Sequence, residues 1–300
     1  MSEYNIKSIR QDFKQKGIFY TQKELAEYIK NLLPANVDRV YDPTCGNGGL
    51  LSVFADSVEK YGQDINAEQV EEAKRRLVNF HGVSGDTLKS PAFRDMKFDY
   101  IVANPPFSIK WEPFQDERFI APVLPPPSRA DYAFNLHILH YLSNRGIAAV
   151  LNFPGVLYRG NREGAIRRWL IEQNYIEKVI AIEGNKFADT SIATCVIVYN
   201  KAKKNTDILF IDDETGNQRN VSFDEVKENG FNLSVSSYVQ AEVKKEQINP
   251  IELDTQARNA FFARFKRELQ FEKTVCEFEG WDFKVFLADI QKILNEFWVM

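Results

Sequence analysis

Cysteine is scarce in this sequence. The 300 residues include three cysteines, Cys45, Cys195 and Cys276, which are far apart. Disulfide frameworks and zinc sites need cysteines in closely spaced sets, so this scatter predicts neither. His137 and His140 share a predicted helical face, but they lack a third ligand and are expected to be packing or surface residues. The sequence therefore predicts no metal site.

Segments that would cross a membrane are also lacking. No apolar run reaches the roughly eighteen residues that a membrane-spanning helix needs. The N-terminal region has no apolar stretch typical of a signal peptide. With 44% hydrophobic residues, the chain can still bury a large core. These features predict a soluble cytoplasmic protein that has no membrane partner.

The sequence also lacks an excess of positively charged residues. Lys and Arg total 38 against 42 Asp and Glu, which gives a net charge of −4. Proteins that grip duplex nucleic acid unaided are usually basic, because phosphate contacts supply most of the non-specific affinity. The basic residues at 159–168 and 201–204 are either a local nucleic-acid contact or ordinary solvated surface.

The most informative segment present is Asn104-Pro105-Pro106-Phe107, which directly follows the apolar run Tyr100-Ile101-Val102-Ala103. The run predicts a buried strand, and ligands in open α/β sheets bind at the carboxyl ends of strands. The prolines lack backbone donors, so the carbonyls of Asn104 and Pro105 stay outside ladder pairing. With the Asn104 side chain as acceptor and Phe107 as a flat apolar face, the segment could hold a planar group bearing an –NH₂.

Such a clamp would have a chemical purpose. An amine conjugated to a heteroaromatic ring or to an amide carbonyl is a poor nucleophile, because its lone pair is delocalised. Oxygen acceptors for both N–H bonds favour a pyramidal nitrogen and stabilise the positive charge that develops during attack. The alternative is a proline-stiffened loop with Phe107 in the core, and the tetrapeptide alone does not separate the two.

A glycine-rich turn, Asp42-Pro43-Thr44-Cys45-Gly46-Asn47-Gly48-Gly49, follows an earlier predicted strand and leads into a predicted helix through Leu51, Val53 and Phe54. Glycines allow close approach by a ligand, and a helix N-terminus offers N–H groups to an anion. A dinucleotide could use this turn, but Asp42 would repel a pyrophosphate. Asp42 suits a ligand with both an ammonium and a carboxylate, such as the amino-acid end of S-adenosylmethionine. A turn with no ligand is the remaining alternative.

Asp64 and Asp86 follow the next two short apolar stretches. Asp64 lies about twenty residues beyond the glycine turn, where this class of fold places an acid on ribose hydroxyls. Asp86 could accept a hydrogen bond from the exocyclic amine of the cofactor adenine. Either acid could instead be a helix N-cap, but Asn66 is itself a good cap for the helix predicted over 67–80, which leaves Asp64 free.

These segments occur in the order seen in DNA adenine-N6 methyltransferases. More narrowly, the chain resembles the modification subunit of type I restriction–modification systems over residues 15–240, and a match of several motifs in order is far more specific than any single one. The resemblance rests on Gly17-Ile18-Phe19-Tyr20-Thr21, the glycine-rich turn, Gly62-Gln63-Asp64-Ile65-Asn66, Gly85-Asp86-Thr87-Leu88, Asn104-Pro105-Pro106-Phe107, Ala130-Asp131-Tyr132-Ala133-Phe134 and residues 152–160 and 231–239.

The resemblance implies S-adenosylmethionine as the cofactor. It assigns the cofactor site to Phe19, Tyr20, Thr21, Asp42, Thr44, Gly46, Gly48, Asp64, Ile65, Asp86, Thr87 and Asn104. It assigns catalysis to Asn104, Pro105, Pro106 and Phe107, which would hold a flipped adenine, because N6 is stacked and paired inside a duplex. The implied partners are duplex DNA containing the target adenine, a specificity subunit and a restriction subunit.

Two departures from the family pattern qualify this assignment. Asp64 stands where the family often has Glu, which shortens the reach of the carboxylate but keeps its charge. Type I relatives usually carry a helical domain before the Phe-Tyr-Thr segment, which begins here at Phe19. Together with the acidic balance, this predicts that a second, DNA-reading subunit selects the target base.

Alternating strand and helix patterns predict an α/β fold, a Rossmann-like doubly wound, mostly parallel sheet with a C-terminal helical extension. The predicted domains are a short lead over 1–20, a catalytic domain over 21–240 and a helical extension over 241–300. Strands are predicted over 98–103, 147–152, 176–182 and, last, 192–199, and helices over 22–33, 131–143 and 162–172. Thr21 and Glu24 are predicted as a capping box for the first of these helices.

The connecting segments carry predictions of their own. The proline-rich loop over 108–129 is assigned to the target base or to DNA access, because loops of that length are usually functional. Two amphipathic helices over 254–277 and 283–298 either pack on the domain or dock a partner.

Methyl transfer from S-adenosylmethionine to adenine N6 in DNA is therefore the predicted reaction. Cys45 is not expected to act as a nucleophile, since it lies within the ligand turn. One alternative keeps the cofactor and changes the amine to cytosine N4 or to a glutamine amide in a protein. The other is a non-catalytic module that binds the cofactor or a partner.

Overall fold

The computed structural model describes residues 21–184, 193–239 and 250–296. The chain divides into two compact units, residues 1–241 and residues 242–300. Phe19, Tyr20 and the rest of the predicted lead lie outside the described residues.

A single sheet organises the described part of the first unit. Its strands are β1 (Arg39–Asp42), β2 (Glu59–Asp64), β3 (Phe80–Ser84), β4 (Phe98–Ala103), β5 (Leu142–Asn152), β6 (Ile176–Ile182), β7 (Thr194–Asn200), β8 (Ile208–Asp212) and β9 (Gln218–Val221). Across the sheet they lie in the order β3-β2-β1-β4-β5-β7-β6-β8-β9. The pairings of β7 with β5 and β6, and of β8 with β9, are antiparallel, and the others are parallel.

Helices cover both faces of this sheet. They are α1 (Lys23–Lys30), α2 (Ala67–Arg76), α3 (Asp131–Tyr141), α4 (Asn161–Glu172) and α5 (Phe223–Glu228), with short 3₁₀ segments at Leu51–Val53, Pro154–Leu157 and Val235–Ser237. Successive strand residues point to opposite faces. Ile101 accordingly packs in one core with Ile138 of α3, and Val102 in the other with Ile29 of α1. The doubly wound, mostly parallel α/β fold is confirmed.

The parallel strands bring distant polar residues to one edge of the sheet. Strands β1 to β4 run in the same direction, so their carboxyl ends lie side by side. Asp42 and Asp64 are the last residues of β1 and β2, and Asn104 directly follows β4. Asp86 comes two residues after β3 ends. These four residues are far apart in the sequence, but the fold places them at the same edge of the sheet.

Several predicted helices begin or end at other residues. The helix predicted over 131–143 ends at Tyr141, because β5 begins at Leu142. The helix predicted over 67–80 ends at Arg76, because Leu77 is extended and Phe80 already pairs with β2 as the first residue of β3. The capping box predicted at Thr21 is wrong, since α1 begins at Lys23 with Gln22 at the N-cap position. The apolar residues after the glycine turn form only the 3₁₀ segment Leu51–Val53.

The predicted end of the sheet is also wrong. The strand predicted last is β7, but β8 and β9 extend the sheet beyond it. β9 carries three exposed polar residues, Gln218, Arg219 and Asn220, so it lacks the alternation that marks a half-buried strand. It pairs on one side only, with β8, and such an edge strand does not need an apolar pattern.

The described part of the second unit, residues 250–296, consists of helices α6 (Pro250–Glu279) and α7 (Phe283–Glu296). Gly280 ends α6 with a φ of 72°, the left-handed conformation that commonly closes a helix. Large apolar side chains remain on the surface, Phe262 being 63% and Trp281 68% exposed. None of the helices in the described ranges is long and apolar enough to span a membrane.

Candidate active site

A cavity of about 370 Å³ lies at the carboxyl edge of the sheet. Its volume is within the range of small-molecule sites. The residues that line it come from the glycine turn, the end of β2, the start of α2, the segment after β3, the tetrapeptide, the loop after it and α3. They are Pro43, Thr44, Gly46, Asp64, Ile65, Asn66, Gln69, Asp86, Thr87, Leu88, Lys89, Asn104, Pro106, Ile109, Lys110, Trp111, Glu112 and Phe134.

The glycine turn is organised by two carboxylates. Asp42 is 1% exposed, and its Oδ1 accepts the Thr44 backbone N–H at 2.9 Å. The pKa of Asp42 is raised to about 7, chiefly by burial and to a smaller extent by the nearby charge of Asp64, against the lowering effect of the Thr44 N–H. Gly46 has a φ of 49°, and its N–H donates to Asp64 Oδ2 at 2.9 Å. A Cβ on Gly46 would meet nothing within 4 Å, so the backbone there faces open space.

Asp64 joins the turn to the next strand. Besides the Gly46 N–H, it accepts the Asn66 N–H through Oδ1 at 2.9 Å. Asn66 in turn caps α2 by accepting from Glu68 N and Gln69 N, which confirms that Asp64 is not the cap. A carboxylate has about four acceptor sites, so Asp64 keeps two for a ligand.

Asp86 organises the segment after β3. Its Oδ1 accepts the backbone N–H groups of Leu88 at 2.9 Å and Lys89 at 3.2 Å. The Thr87 hydroxyl donates to the Pro43 carbonyl at 2.5 Å, so this segment is tied to the glycine turn. Both strand ends therefore hold their shape through contacts made within the chain.

The tetrapeptide lies on the other side of the cavity. The Asn104 Nδ2 donates to the Thr21 hydroxyl at 3.2 Å, which directs the amide and leaves its Oδ1 available as an acceptor. Pro105 is buried, whereas Pro106 lines the cavity. Phe107 is partly buried and packs against the core on the α1 face of the sheet.

The residue after the tetrapeptide is held by a buried acid. Ser108 has a φ of 54°, a conformation that L-residues seldom adopt, and its N–H donates to Asp131 Oδ1 at 3.3 Å. Asp131 is 3% exposed, and its Oδ2 has no hydrogen-bond partner among the described residues. Buried acceptors without a partner are uncommon in folded proteins.

The long loop over 108–129 is ordered by its own contacts. Ala130 N donates to Ile109 O at 2.8 Å, and Trp111 donates through N and Nε1 to the carbonyls of Pro127 and Pro126. The Trp111 and Phe119 rings meet edge to face, 5.3 Å apart. The first residues of this loop thus form a stable wall of the cavity.

Most of the predicted site residues meet at this cavity. Eight of them line it, namely Thr44, Gly46, Asp64, Ile65, Asp86, Thr87, Asn104 and Pro106. Gly48 instead packs against α2, where an added Cβ would lie 2.5 Å from Leu77 Cδ1. Asp42 and Thr21 do not line the cavity, but they accept hydrogen bonds from two residues that do, Thr44 and Asn104 respectively.

Residues that the sequence did not point to also line the cavity. These are Gln69, Lys89, Ile109, Lys110, Glu112 and Phe134. The length of the loop over 108–129 predicts a role at the target base or in DNA access, but it does not indicate which loop residues line the cavity. Nothing in the spacing indicates that the loop turns back towards the end of β3.

Cys45 and His137 have packing roles. Cys45 is buried, and burial, followed by the charges of Asp42 and Asp64, raises the pKa of its thiol, which disfavours the reactive thiolate. His137 is fully buried, with its ring nitrogens 3.2 Å from the Tyr41 hydroxyl and 3.1 Å from Arg118 Nη1. Neither residue lies on the cavity wall.

Known structures have the same fold. The chain superposes on the methyltransferase subunit of a type I restriction–modification system from Streptococcus thermophilus with a TM-score of 0.68 and 30% identity, over 74% of this chain and 59% of that one. A Listeria monocytogenes protein assigned to the class I S-adenosylmethionine-dependent methyltransferases is 16% identical, with a TM-score of 0.50 over 63% of each chain. The sheet therefore has the class I S-adenosylmethionine-dependent methyltransferase fold.

The family follows from the sequence comparison. The family model for N-6 DNA Methylase matches residues 1–220, so the chain belongs to this family. The methylase subunit of the type I restriction enzyme MpnII from Mycoplasma pneumoniae is 29% identical, over 79% of this chain and 55% of that protein. The chain spans about half the length of the curated relatives it matches. The predicted resemblance is confirmed.

Proposed function

We propose that the chain transfers a methyl group from S-adenosylmethionine to N6 of a flipped adenine in DNA, as the modification subunit of a type I-like restriction–modification system. One observation carries the proposal. In a member of the N-6 DNA Methylase family, a single cavity joins the acids at the end of β2 and after β3 to Asn104 and Pro106 of the tetrapeptide. A cofactor and a planar amine could therefore meet there.

The residues present fit this cofactor. The buried Asp42, whose pKa is raised to about 7 by desolvation, would be stabilised as a carboxylate by an ammonium group. The open space at Gly46 accommodates close approach of the amino-acid end. Asp64 would accept ribose hydroxyls through its two remaining sites, and Asp86 would face the adenine. When bound, S-adenosylmethionine supplies a methyl group on a positively charged sulfur.

The tetrapeptide would hold the target base. Asn104 Oδ1 and the Pro105 carbonyl would accept the two hydrogens of the exocyclic amine. Phe107 packs against the core on one side, and the part of its ring that stays exposed would stack on the base. As the amine nitrogen attacked the methyl carbon in line, the methyl–sulfur bond would break and neutral S-adenosylhomocysteine would leave, while these oxygens would stabilise the positive charge that develops on the nitrogen. The nitrogen then releases a proton to solvent. The contribution of the chain is positioning and electrostatics.

Target choice would belong to another chain. The net charge of −4 disfavours unaided binding to duplex DNA. A specificity subunit would supply sequence recognition, and a restriction subunit would complete the system. The inferred partners are thus duplex DNA and these two subunits.

The proposal is tested by nucleoside mass spectrometry of DNA incubated with S-adenosylmethionine and the protein, with and without a co-encoded specificity subunit. We expect N6-methyladenine when both chains are present. Asn104→Ala should remove it, whereas Asn220→Ala, which alters an exposed amide on β9, should not.

Other products would overturn the assignment. N4-methylcytosine in the same hydrolysate would move the reaction to cytosine. Equal methylation by wild type and Asn104→Ala would remove Asn104 from the site. Calorimetric binding of S-adenosylhomocysteine without any methylated product, even with the partner present, would favour a binding module.

A further inference from the structure

Arg118 is the most fully bonded buried side chain of the long loop. Its residue is 2% exposed, and a guanidinium has five N–H donors. All five are used: Nε and Nη2 donate to Asp116 at 2.7 and 2.9 Å, Nη1 to Thr87 O at 2.9 Å, Nη2 to Leu88 O at 2.6 Å, and Nη1 to His137 Nδ1 at 3.1 Å. The side chain also lies over the Phe119 ring at 5.2 Å.

These bonds connect two parts of the cavity wall. Thr87 and Leu88 belong to the part of the wall that follows β3, and the loop that carries Arg118 supplies another part through its residues 109–112. Lys89 and Glu112 form an ion pair at 3.5 Å where the two parts meet. Asp86 Oδ1 accepts hydrogen bonds from the backbone N–H groups of Leu88 and Lys89 in the segment after β3. Arg118 binds two backbone carbonyls of the same segment, those of Thr87 and Leu88. The segment that would face the cofactor adenine is thus fixed by hydrogen bonds to its backbone N–H groups and to its backbone carbonyls.

The network continues to the glycine turn. Arginine can only donate, so His137 Nδ1 must accept, and the ring hydrogen then sits on Nε2 and donates to the Tyr41 hydroxyl at 3.2 Å. Burial, and then the charge of Arg118, holds the pKa of His137 well below its usual range, which keeps the ring neutral. Tyr41 directly precedes Asp42 in β1.

Arg167 shows what a buried arginine does elsewhere in the same fold. It is 4% exposed and donates to the backbone carbonyls of Phe231, Val156 and Arg159 at 2.8, 3.2 and 2.7 Å. Those carbonyls lie away from the cavity wall. Arg167 therefore matches Arg118 in burial and in bonding to carbonyls, but not in position.

We propose that Arg118 is a positioning residue for the cofactor. It fixes the segment 86–88 from within the loop over 108–129, so that ligand binding in the cavity and any binding event on that loop are energetically linked. The inference rests on the proposed function for the identity of the ligand. Because linkage is reciprocal, DNA or a partner that stabilises the loop would strengthen cofactor binding by the factor by which the cofactor strengthens theirs.

The test compares Arg118→Lys with Arg167→Lys by calorimetric titration with S-adenosylhomocysteine. Lysine keeps the charge but cannot reproduce the five-donor fork. We expect Arg118→Lys to weaken binding roughly tenfold, as the loss of charged hydrogen bonds to two carbonyls implies. Arg167→Lys should leave the affinity within about twofold of wild type, with a comparable loss of stability. Equal losses of affinity in both variants would overturn the proposal.

A second measurement does not depend on the ligand. Hydrogen exchange of peptides covering residues 85–90 should be faster in Arg118→Lys than in wild type and unchanged in Arg167→Lys. Asp116→Asn, which leaves the guanidinium in place but weakens its hold, should shift exchange in the same direction by a smaller factor. Unchanged exchange in both Arg118→Lys and Asp116→Asn would overturn the positioning role. If wild type binds no S-adenosylhomocysteine, the proposed function fails, while the exchange comparison still decides the role of Arg118.

Discussion

The two halves of the cavity differ in how their polar groups are held. In the half proposed for the cofactor, Asp64 and Asp86 each accept two backbone N–H bonds from neighbouring turns. In the half proposed for the target base, Asn104 is held by one side-chain bond to Thr21, and Asp131 Oδ2 lacks a partner among the described residues. Backbone donors are placed by the fold itself, so the first half is formed in advance. In the second half, Asn104 Oδ1 remains available to a ligand in the cavity.

This difference predicts different dependence on partners. The cofactor half should bind S-adenosylhomocysteine in the isolated chain, because its geometry needs no further contacts. The target half should become productive only when DNA and a specificity subunit are present. Substitutions in each half therefore test the comparison separately.

The largest effect is expected for Asn104→Ala. Removing an acceptor that stabilises developing charge costs roughly 10²–10³-fold in rate. The single-turnover rate of N6 methylation, measured at saturating cofactor with the partner present, should fall by that factor, while the affinity for S-adenosylhomocysteine falls far less. Asn220→Ala is the control. A loss confined to cofactor affinity would instead put Asn104 in the cofactor half.

Asp64→Ala should weaken ligand binding in the half of the cavity proposed for the cofactor. The ribose would lose its acceptor and the Gly46 N–H its partner, which predicts roughly 10–100-fold weaker binding of S-adenosylhomocysteine by calorimetry. The methylation rate should recover at high cofactor concentration. Asp95→Ala, at an exposed acid between β3 and β4, should bind as wild type does. Unchanged affinity in Asp64→Ala would refute the ribose assignment.

The pH dependence of stability should reveal Asp42. Its pKa in the native state, about 7, is above the ordinary value of 3.8 because of burial. Between these values the native state binds a proton that the unfolded state has lost, so this group makes the free energy of unfolding decrease as pH rises. Between pH 5 and pH 7.5, the free energy of unfolding of wild type, measured in urea, should fall by about 2 kcal/mol more than that of Asp42→Asn. Parallel profiles for the two proteins would contradict the raised pKa, and Asp95→Asn should follow wild type.

The smallest effect is expected at Asp131. Asp131→Ala should lower the methylation rate about tenfold at saturating cofactor, because the Ser108 N–H loses its acceptor next to the tetrapeptide. Asp131→Asn keeps an acceptor and should recover most of the rate, with cofactor affinity unchanged in both. If the two variants are equally slow, or if both bind cofactor weakly, Asp131 does not serve the target half.

Local chemistry explains which predictions succeeded. A strand followed at once by Asn104-Pro105-Pro106-Phe107 needs no distant information, and neither does Asn66 as the cap of α2. The helix predicted over 67–80 failed at Arg76, because the pairing of Phe80 with β2 is a tertiary contact that overrides helical spacing. β9 escaped prediction because an exposed edge strand has no apolar alternation.

The location of the acids, the glycine turn and the tetrapeptide at one edge of the sheet could be predicted from residue order, because the carboxyl ends of parallel strands lie side by side. The contacts between them could not. Arg118 reaches Thr87 across 31 residues, and the loop after the tetrapeptide turns back to form the part of the cavity wall that meets the segment after β3. Such contacts depend on how a long loop packs, and packing leaves no periodic pattern in the chain. Residue types and their order indicated the chemistry, and the packed loop completed the cavity in which that chemistry would occur.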